Sequence, residues 1–151
     1  MIAYKIFILI MMILLHIVED FHLQGILTNL KQKDWWIKEL RKFPYNPDVW
    51  WDKYKHDYKV GLIVHSIENA VFVILPFMIN DLYYTFTVKS SNNFFIAWII
   101  DLLLVGISHY KIDNLKCNKL RINLIVDQLL HLAIIVVIWL YHWQYLGMWM
   151  K

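Results

Sequence analysis

IAYKIFILIMMILLHIVEDFHLQ, residues 2–24, decides the fold class. From Ile2 to Val18 only Lys5 and His16 carry strongly polar side chains, and the run approaches the length that crosses a bilayer as a helix. A secretory leader would have a shorter apolar stretch and a cleavage site of small residues. This run instead ends in His16, Glu19, Asp20, His22 and Gln24, so it is expected to stay as a permanent span. Why a span should end in so many polar groups is the question that the rest of the chain answers.

Of the 151 residues, 60% are apolar and 17% aromatic, more apolar surface than a soluble domain of this size could bury. Three further apolar runs, 60–79, 94–108 and 122–141, join 2–18. The reading is an all-α integral membrane protein, a four-helix transmembrane bundle forming a single domain over 1–151. No Gly/Ser linker, repeat or low-complexity tract divides it, and the single Cys117 excludes an internal disulfide.

If the spans alternate in direction, the first connection and Tyr110–Arg121 share one side. That side carries Lys31, Lys33, Lys38, Arg41, Lys42, Lys53, Lys55, Lys59, Lys111, Lys116, Lys119 and Arg121, leaving only Lys5, Lys89 and Lys151 opposite. The positive-inside rule then places the long connection in the cytoplasm and both termini outside. The net charge of +3 reads as topology and contact with anionic membrane lipid, and nucleic acid is not an expected partner.

The connection itself is expected to form an interfacial segment, about 34–58. Asp34 is a candidate N-cap before Trp36, Leu40 and Phe43 at helical spacing. A second short helix would start at Asp48 after the break at PYNP, with Trp50, Trp51, Tyr54 and Tyr58 on one side. Trp and Tyr beside Lys suit the headgroup layer, either as an anchoring collar or as a lid presenting lipid to a site beneath. Pro76 is expected to kink the second span or end its regular part, and Gly106 to loosen the third.

Aligned by depth, His16 lies late in the first span, His65 early in the second, His109 late in the third, and Asp127 and His131 early in the fourth. Antiparallel packing would therefore bring a histidine from every helix to one layer. His16 and Asp20, His109 and Asp113, and Asp127 and His131 are each four residues apart, on one helix face. With His65 they make seven candidate metal ligands, too many for one tetrahedral ion and enough for two ions about 3.5–4 Å apart. An ionisable group within a span costs at least about 2.5–3.5 kcal/mol, which metal ligation would offset. Mixed imidazole and carboxylate donors suit one or two divalent ions of Zn, Mn or Fe.

Glu19, His22, His56 and His142 fall outside this pattern. Glu19 leaves the stripe, and the three histidines are expected at the surface or interface. Glu68 and Asp101 should lie deeper, paired with each other through a shared proton or with Asn69, or else along an ion path.

HIVEDFHLQ, HYKIDNLK and DQLLH, with His65 between the first two, resemble in order and helix placement the membrane-protein family called domain of unknown function 3307, found in bacteria and phages. The resemblance implies an integral membrane protein, in bacteria one of the inner membrane. It marks His16, Asp20, Gln24, His65, His109, Asp113, Lys116, Asp127, Gln128 and His131 as the family-like set and implies no activity.

The expected function is a metal-dependent hydrolase of an ester or phosphoester at the cytoplasmic membrane interface, acting with membrane lipid as partner and a lipid or phosphoester as substrate. Lys116, with Arg121 or Lys119, would hold a phosphate or oxyanion, and Gln24 or Gln128 would position water or the leaving oxygen. The sequence has no Gly-rich phosphate loop, no Gly-x-Ser-x-Gly and no Cys/His pair to suggest nucleotide or acyl-enzyme chemistry. The alternatives are a small metal-ion or proton carrier, and a structural or interaction subunit whose His/Asp pairs only lock the helices.

Overall fold

The computed structural model describes residues 2–42, 47–88 and 94–149, and these residues are all-α, with no strand among them. The chain order is α1 (Ile2–Val18), one π turn (Glu19–Leu23), α2 (Leu27–Leu30), α3 (Lys33–Leu40), α4 (Pro47–Tyr54), α5 (Asp57–Val88), α6 (Phe95–Cys117) and α7 (Leu124–Trp149). Among the described residues, four stretches are long and apolar enough to cross a membrane: Ile2–Leu23, Asp52–Thr87, Phe95–Cys117 and Leu124–Gln144.

The bundle is sorted for an apolar solvent. Ile10, Leu14, Ile17, Val64, Ile67, Leu103, Leu104, Ile107, Leu129 and Val137 point outward, while most of the fully buried ionisable groups point inward. In a bilayer that inversion is favourable, because outward aliphatic side chains meet lipid and inward polar ones meet each other. The long α5 packs against α6, α1 and α2, and α7 closes the bundle against α6 and α1. The core between them is Ile8, Met12, Ala70, Val73, Ile74, Phe77, Val105, Ile135 and Ile138.

Several local expectations change. The α5 helix runs on through Pro76 rather than ending there. Gly106 faces α5 where a Cβ would lie 3.7 Å from the Ala70 Cβ and from the Ser66 carbonyl oxygen, ordinary van der Waals contact, and α6 continues through it as regular helix. Asp34 does not cap α3. Gln32 takes the extended cap position and Asp34 lies within the first turn, where a carboxylate is favoured by the helix dipole. Phe43, the Pro44–Asn46 part of PYNP, Lys89 and Lys151 lie outside the described residues, as do the side chains of Asp48 and Trp51.

The first connection folds back onto the bundle instead of only lying beside it. Gly25 turns the chain with a φ of +49°, a left-handed conformation that favours glycine. The short α2 then lies flush on α5 at Gly61, where an added Cβ would meet the Leu30 carbonyl carbon and oxygen at 2.7 Å. Asn118 ties the end of this segment to α6, donating to the Lys31 carbonyl (3.1 Å) and accepting from the Lys33 amide (2.8 Å).

Candidate metal centre

At the end of the bundle that receives α2, four helices bring His16, His65, His109 and His131 into one buried layer. The His16 ring lies 5.9 Å from that of His109 and 5.1 Å from that of His131, His65 lies 4.8 Å from His109, and His109 and His131 stack at 4.2 Å. Asp20, Asp113 and Asp127 are buried in the same layer. All seven expected ligands are therefore neighbours.

His65 is the hub. Its Nδ1 faces Glu19 Oε1 at 3.1 Å. Its Nε2 is 3.4 Å from Asp20 Oδ1, 3.3 Å from Asp113 Oδ2 and 3.0 Å from His109 Nε2. One donor atom from each of Asp20, His65, His109 and Asp113 falls within a sphere of mutual distances no longer than 4.8 Å, and so do atoms of Asp113, Asp127 and His131. Asp113 belongs to both groups, and His16, expected as a ligand, to neither. Its Oδ2 faces His65 while its Oδ1 lies 3.3 Å from His131 Nε2, the disposition of a carboxylate shared between two cation positions.

Two groups in this layer lay outside the expected set. Glu19 is fully buried, receives a hydrogen bond from Asn69 Nδ2 and faces His65. The π turn explains it. The wider i→i+5 winding brings adjacent Glu19 and Asp20 to the inner face, where a regular α-helix would present only one. Lys31 is the other. Carried in by α2, its Nζ lies 2.7 Å from Asp113 Oδ2, 3.0 Å from His65 Nε2 and 4.0 Å from Asp20 Oδ1, with the side chain about 95% buried. In sequence it was one of twelve lysines and arginines on that side.

The three residues expected to act on substrate hold the carboxylates in this arrangement. Gln24 Nε2 donates to Asp20 Oδ1 (2.9 Å), and Gln128 Nε2 donates to Asp20 Oδ2 (2.8 Å) and Asp127 Oδ2 (3.0 Å). Lys116, 27% exposed, donates to Asp127 Oδ2 at 2.7 Å, whereas Lys119 and Arg121 stay exposed. Asp127 sits in the first turn of α7, whose entry Asn123 caps by accepting from the Val126 amide (3.0 Å), so the dipole there also favours its charge.

The donors fit a cation on three counts. Four buried carboxylates, Glu19, Asp20, Asp113 and Asp127, face two lysines, Lys31 and Lys116, with four imidazoles among them. Buried charge without a partner is strongly disfavoured, so a divalent cation, or protons on the imidazoles or carboxylates, would balance the layer. His16 Nε2 and Asp127 Oδ1 are buried without a hydrogen-bond partner among the described residues. Beside His16, His109 and His131 lies a cavity of about 10 Å³, room for a single water.

A second buried polar group lies toward the other end of the bundle. His142, expected at the surface, is buried with Nδ1 2.7 Å from Asp101 Oδ2 and Nε2 3.3 Å from Asp81 Oδ2. Trp98 Nε1 and Asn80 Nδ2 donate to Asp81 at 2.8 and 2.9 Å, and the Tyr4 hydroxyl donates to Asn80 Oδ1 at 2.8 Å. Asp101 thus pairs with His142 rather than with Glu68, and Asn69 serves His16 and Glu19. Glu68 is half-buried without an ion-pair partner among the described residues, and His22 and His56 are exposed.

A sequence model of a family described as "Protein of unknown function (DUF3307)" matches residues 40–150. The matched stretch holds His65, His109, Asp113, Lys116, Asp127, Gln128 and His131, whereas His16, Asp20, Gln24 and Lys31 precede it. No curated protein and no solved structure matches the chain.

Proposed function

The chain belongs to the DUF3307 family of proteins of unknown function, and from that premise we propose that it is an integral membrane, metal-dependent hydrolase of an ester or phosphoester at the cytoplasmic headgroup layer. The observation that carries the reading is the convergence of two donor groups on Asp113, in a layer where four buried carboxylates face two lysines. Asp20, His65, His109 and Asp113 would hold one divalent ion, Zn, Mn or Fe, and Asp113, Asp127 and His131 a second. When bound, such ions provide Lewis acidity and make hydroxide accessible near neutral pH.

The protein's own groups prepare the rest. Gln24 and Gln128 hold Asp20 from two sides, which fixes a carboxylate that would otherwise rotate. His16, bordering the small cavity with its Nε2 unpartnered, is placed to exchange a proton with water there. Lys116 is the partly exposed cation at the layer's edge and suits an incoming phosphate or oxyanion.

A carrier would need polar groups continuing from this layer to the His142 layer. Between them on each helix stand Met12 on α1, Val73, Ile74 and Phe77 on α5, Val105 on α6, and Ile135 and Ile138 on α7, all buried. This apolar partition supports access from one face only.

Elemental analysis of the purified protein tests the reading. The wild type should retain a transition metal at one to two ions per chain, with His65→Ala and Asp127→Ala each reduced. Hydrolysis of a phospholipid and phosphoester panel should stop on chelation and return with metal. Metal-free wild type alongside fully folded variants would overturn it.

A further inference from the structure

The interfacial helices enclose a second concavity, separate from the charged layer. Between α3, α4 and the start of α5 lies a pocket of about 420 Å³ lined by Trp35, Trp36, Trp50 and Tyr54 with the carboxylates of Glu39 and Asp57 at its edge. That size lies within the range of about 300–1,000 Å³ typical of small-molecule sites. Its rings do not project singly into the headgroup region, as anchoring residues do. Trp35 and Trp36 meet edge to face at 5.3 Å, and Trp50 and Tyr54 stack at 5.7 Å within 10° of parallel. Trp36 is fixed by donating its Nε1 hydrogen to the Leu30 carbonyl at 2.9 Å.

Aromatic faces carry negative quadrupole charge, and rings gathered about a cavity are the chemistry that recognises an organic ammonium. These rings already face a cation of the chain itself: Lys53 Nζ lies 5.3 Å from the Tyr54 ring centre and 5.9 Å from that of Trp50. Glu39 pairs with Lys42, but the Asp57 carboxylate has no ion-pair partner among the described residues. Asp57 is thus the lining carboxylate left to pair with an incoming ammonium, which would also displace Lys53 from the ring faces.

We propose that this pocket binds the ammonium of a zwitterionic phospholipid headgroup. The lipid source follows from position. Asp57 opens the helix that enters the membrane, and His65 stands eight residues further along it, about 12 Å at the helical rise. A headgroup seated by its ammonium would lie about two helical turns from His65 along α5. Binding stands on the pocket alone, while its role in choosing the hydrolysed lipid rests on the proposed function.

The test is native mass spectrometry of the detergent-solubilised chain with chelator present. Phosphatidylcholine and phosphatidylglycerol of identical acyl chains are offered in equal amounts. Wild type should hold phosphatidylcholine in about tenfold preference, and tetramethylammonium ion should displace it. Glu39→Gln and Asp57→Asn, singly and together, should bring the ratio toward parity. Parity in the wild type, or a preference that both variants retain, overturns the proposal. Tetramethylammonium binding without any lipid preference overturns the lipid assignment and leaves a free ammonium ligand. Because metal is absent throughout, failure here is distinct from failure of the metal analysis.

Discussion

Removing the Lys31 charge while keeping its stem, as in Lys31→Met, leaves Asp113 and Asp20 facing His65 without their nearest cation. Breaking a buried pair from one side costs about 3–5 kcal/mol, so the chelated variant should unfold at lower denaturant than wild type. Lys31 Nζ also stands within contact of two of the donors assigned to an ion, so it and the ion compete for them. Added zinc or manganese should therefore stabilise Lys31→Met by more than it stabilises wild type, read as the metal-induced shift in Tm. An equal or smaller shift would show that Lys31 and the ion do not share a position. None of this was visible in the sequence, where Lys31 has no periodic relation to the histidines. The seven ligands, by contrast, were legible, because i, i+4 spacing on a helix fixes a shared face before any tertiary contact forms.

At the scale of elements, the segment that delivers Lys31 is held by close backbone contact. A methyl group at residue 61 would press on the Leu30 carbonyl, and the rigid partner is backbone that cannot rotate away. Gly61→Ala should push α2 off α5 and cost about 1–3 kcal/mol, the usual range for overpacking. It should also raise the reactivity of the Lys31 amine toward an acylating reagent, mapped by peptide mass analysis. Unchanged Lys31 labelling would mean that α2 adjusts without moving its end. Helices α3 and α4 were expected from their amphipathic spacing, and the turn that brings α2 inward was not. The π turn was likewise hidden, because EDFHL reads equally well as regular helix. Its effect, two adjacent carboxylates on the inner side, arises only when the surrounding helices offer Asn69 and His65 to receive them.

Across the whole molecule, two buried polar layers are kept apart by apolar side chains, and the layers should respond independently. His142 and His131 are eleven residues apart on α7, about 16 Å. His142→Ala leaves Asp81 and Asp101 buried with their shared imidazole gone and the stack on Phe77, at 3.8 Å, removed. Stability should fall by about 3–5 kcal/mol while metal content per folded chain stays at the wild-type level. Loss of metal in folded His142→Ala protein would show that the two layers are coupled. The sequence by itself determined the helical class, four helices long and apolar enough to cross a membrane, and the depth at which histidines and aspartates meet. Those features depend on hydropathy and on periodicity along single helices, which are local. Tertiary structure alone decided that Lys31 enters the ligand layer, that Glu19 joins it, that His142 takes Asp101 from Glu68, and that four aromatic rings close on one pocket. Each depends on how one helix is rotated and seated against another, and that is set by close contacts such as Leu30 on Gly61, which no single segment encodes.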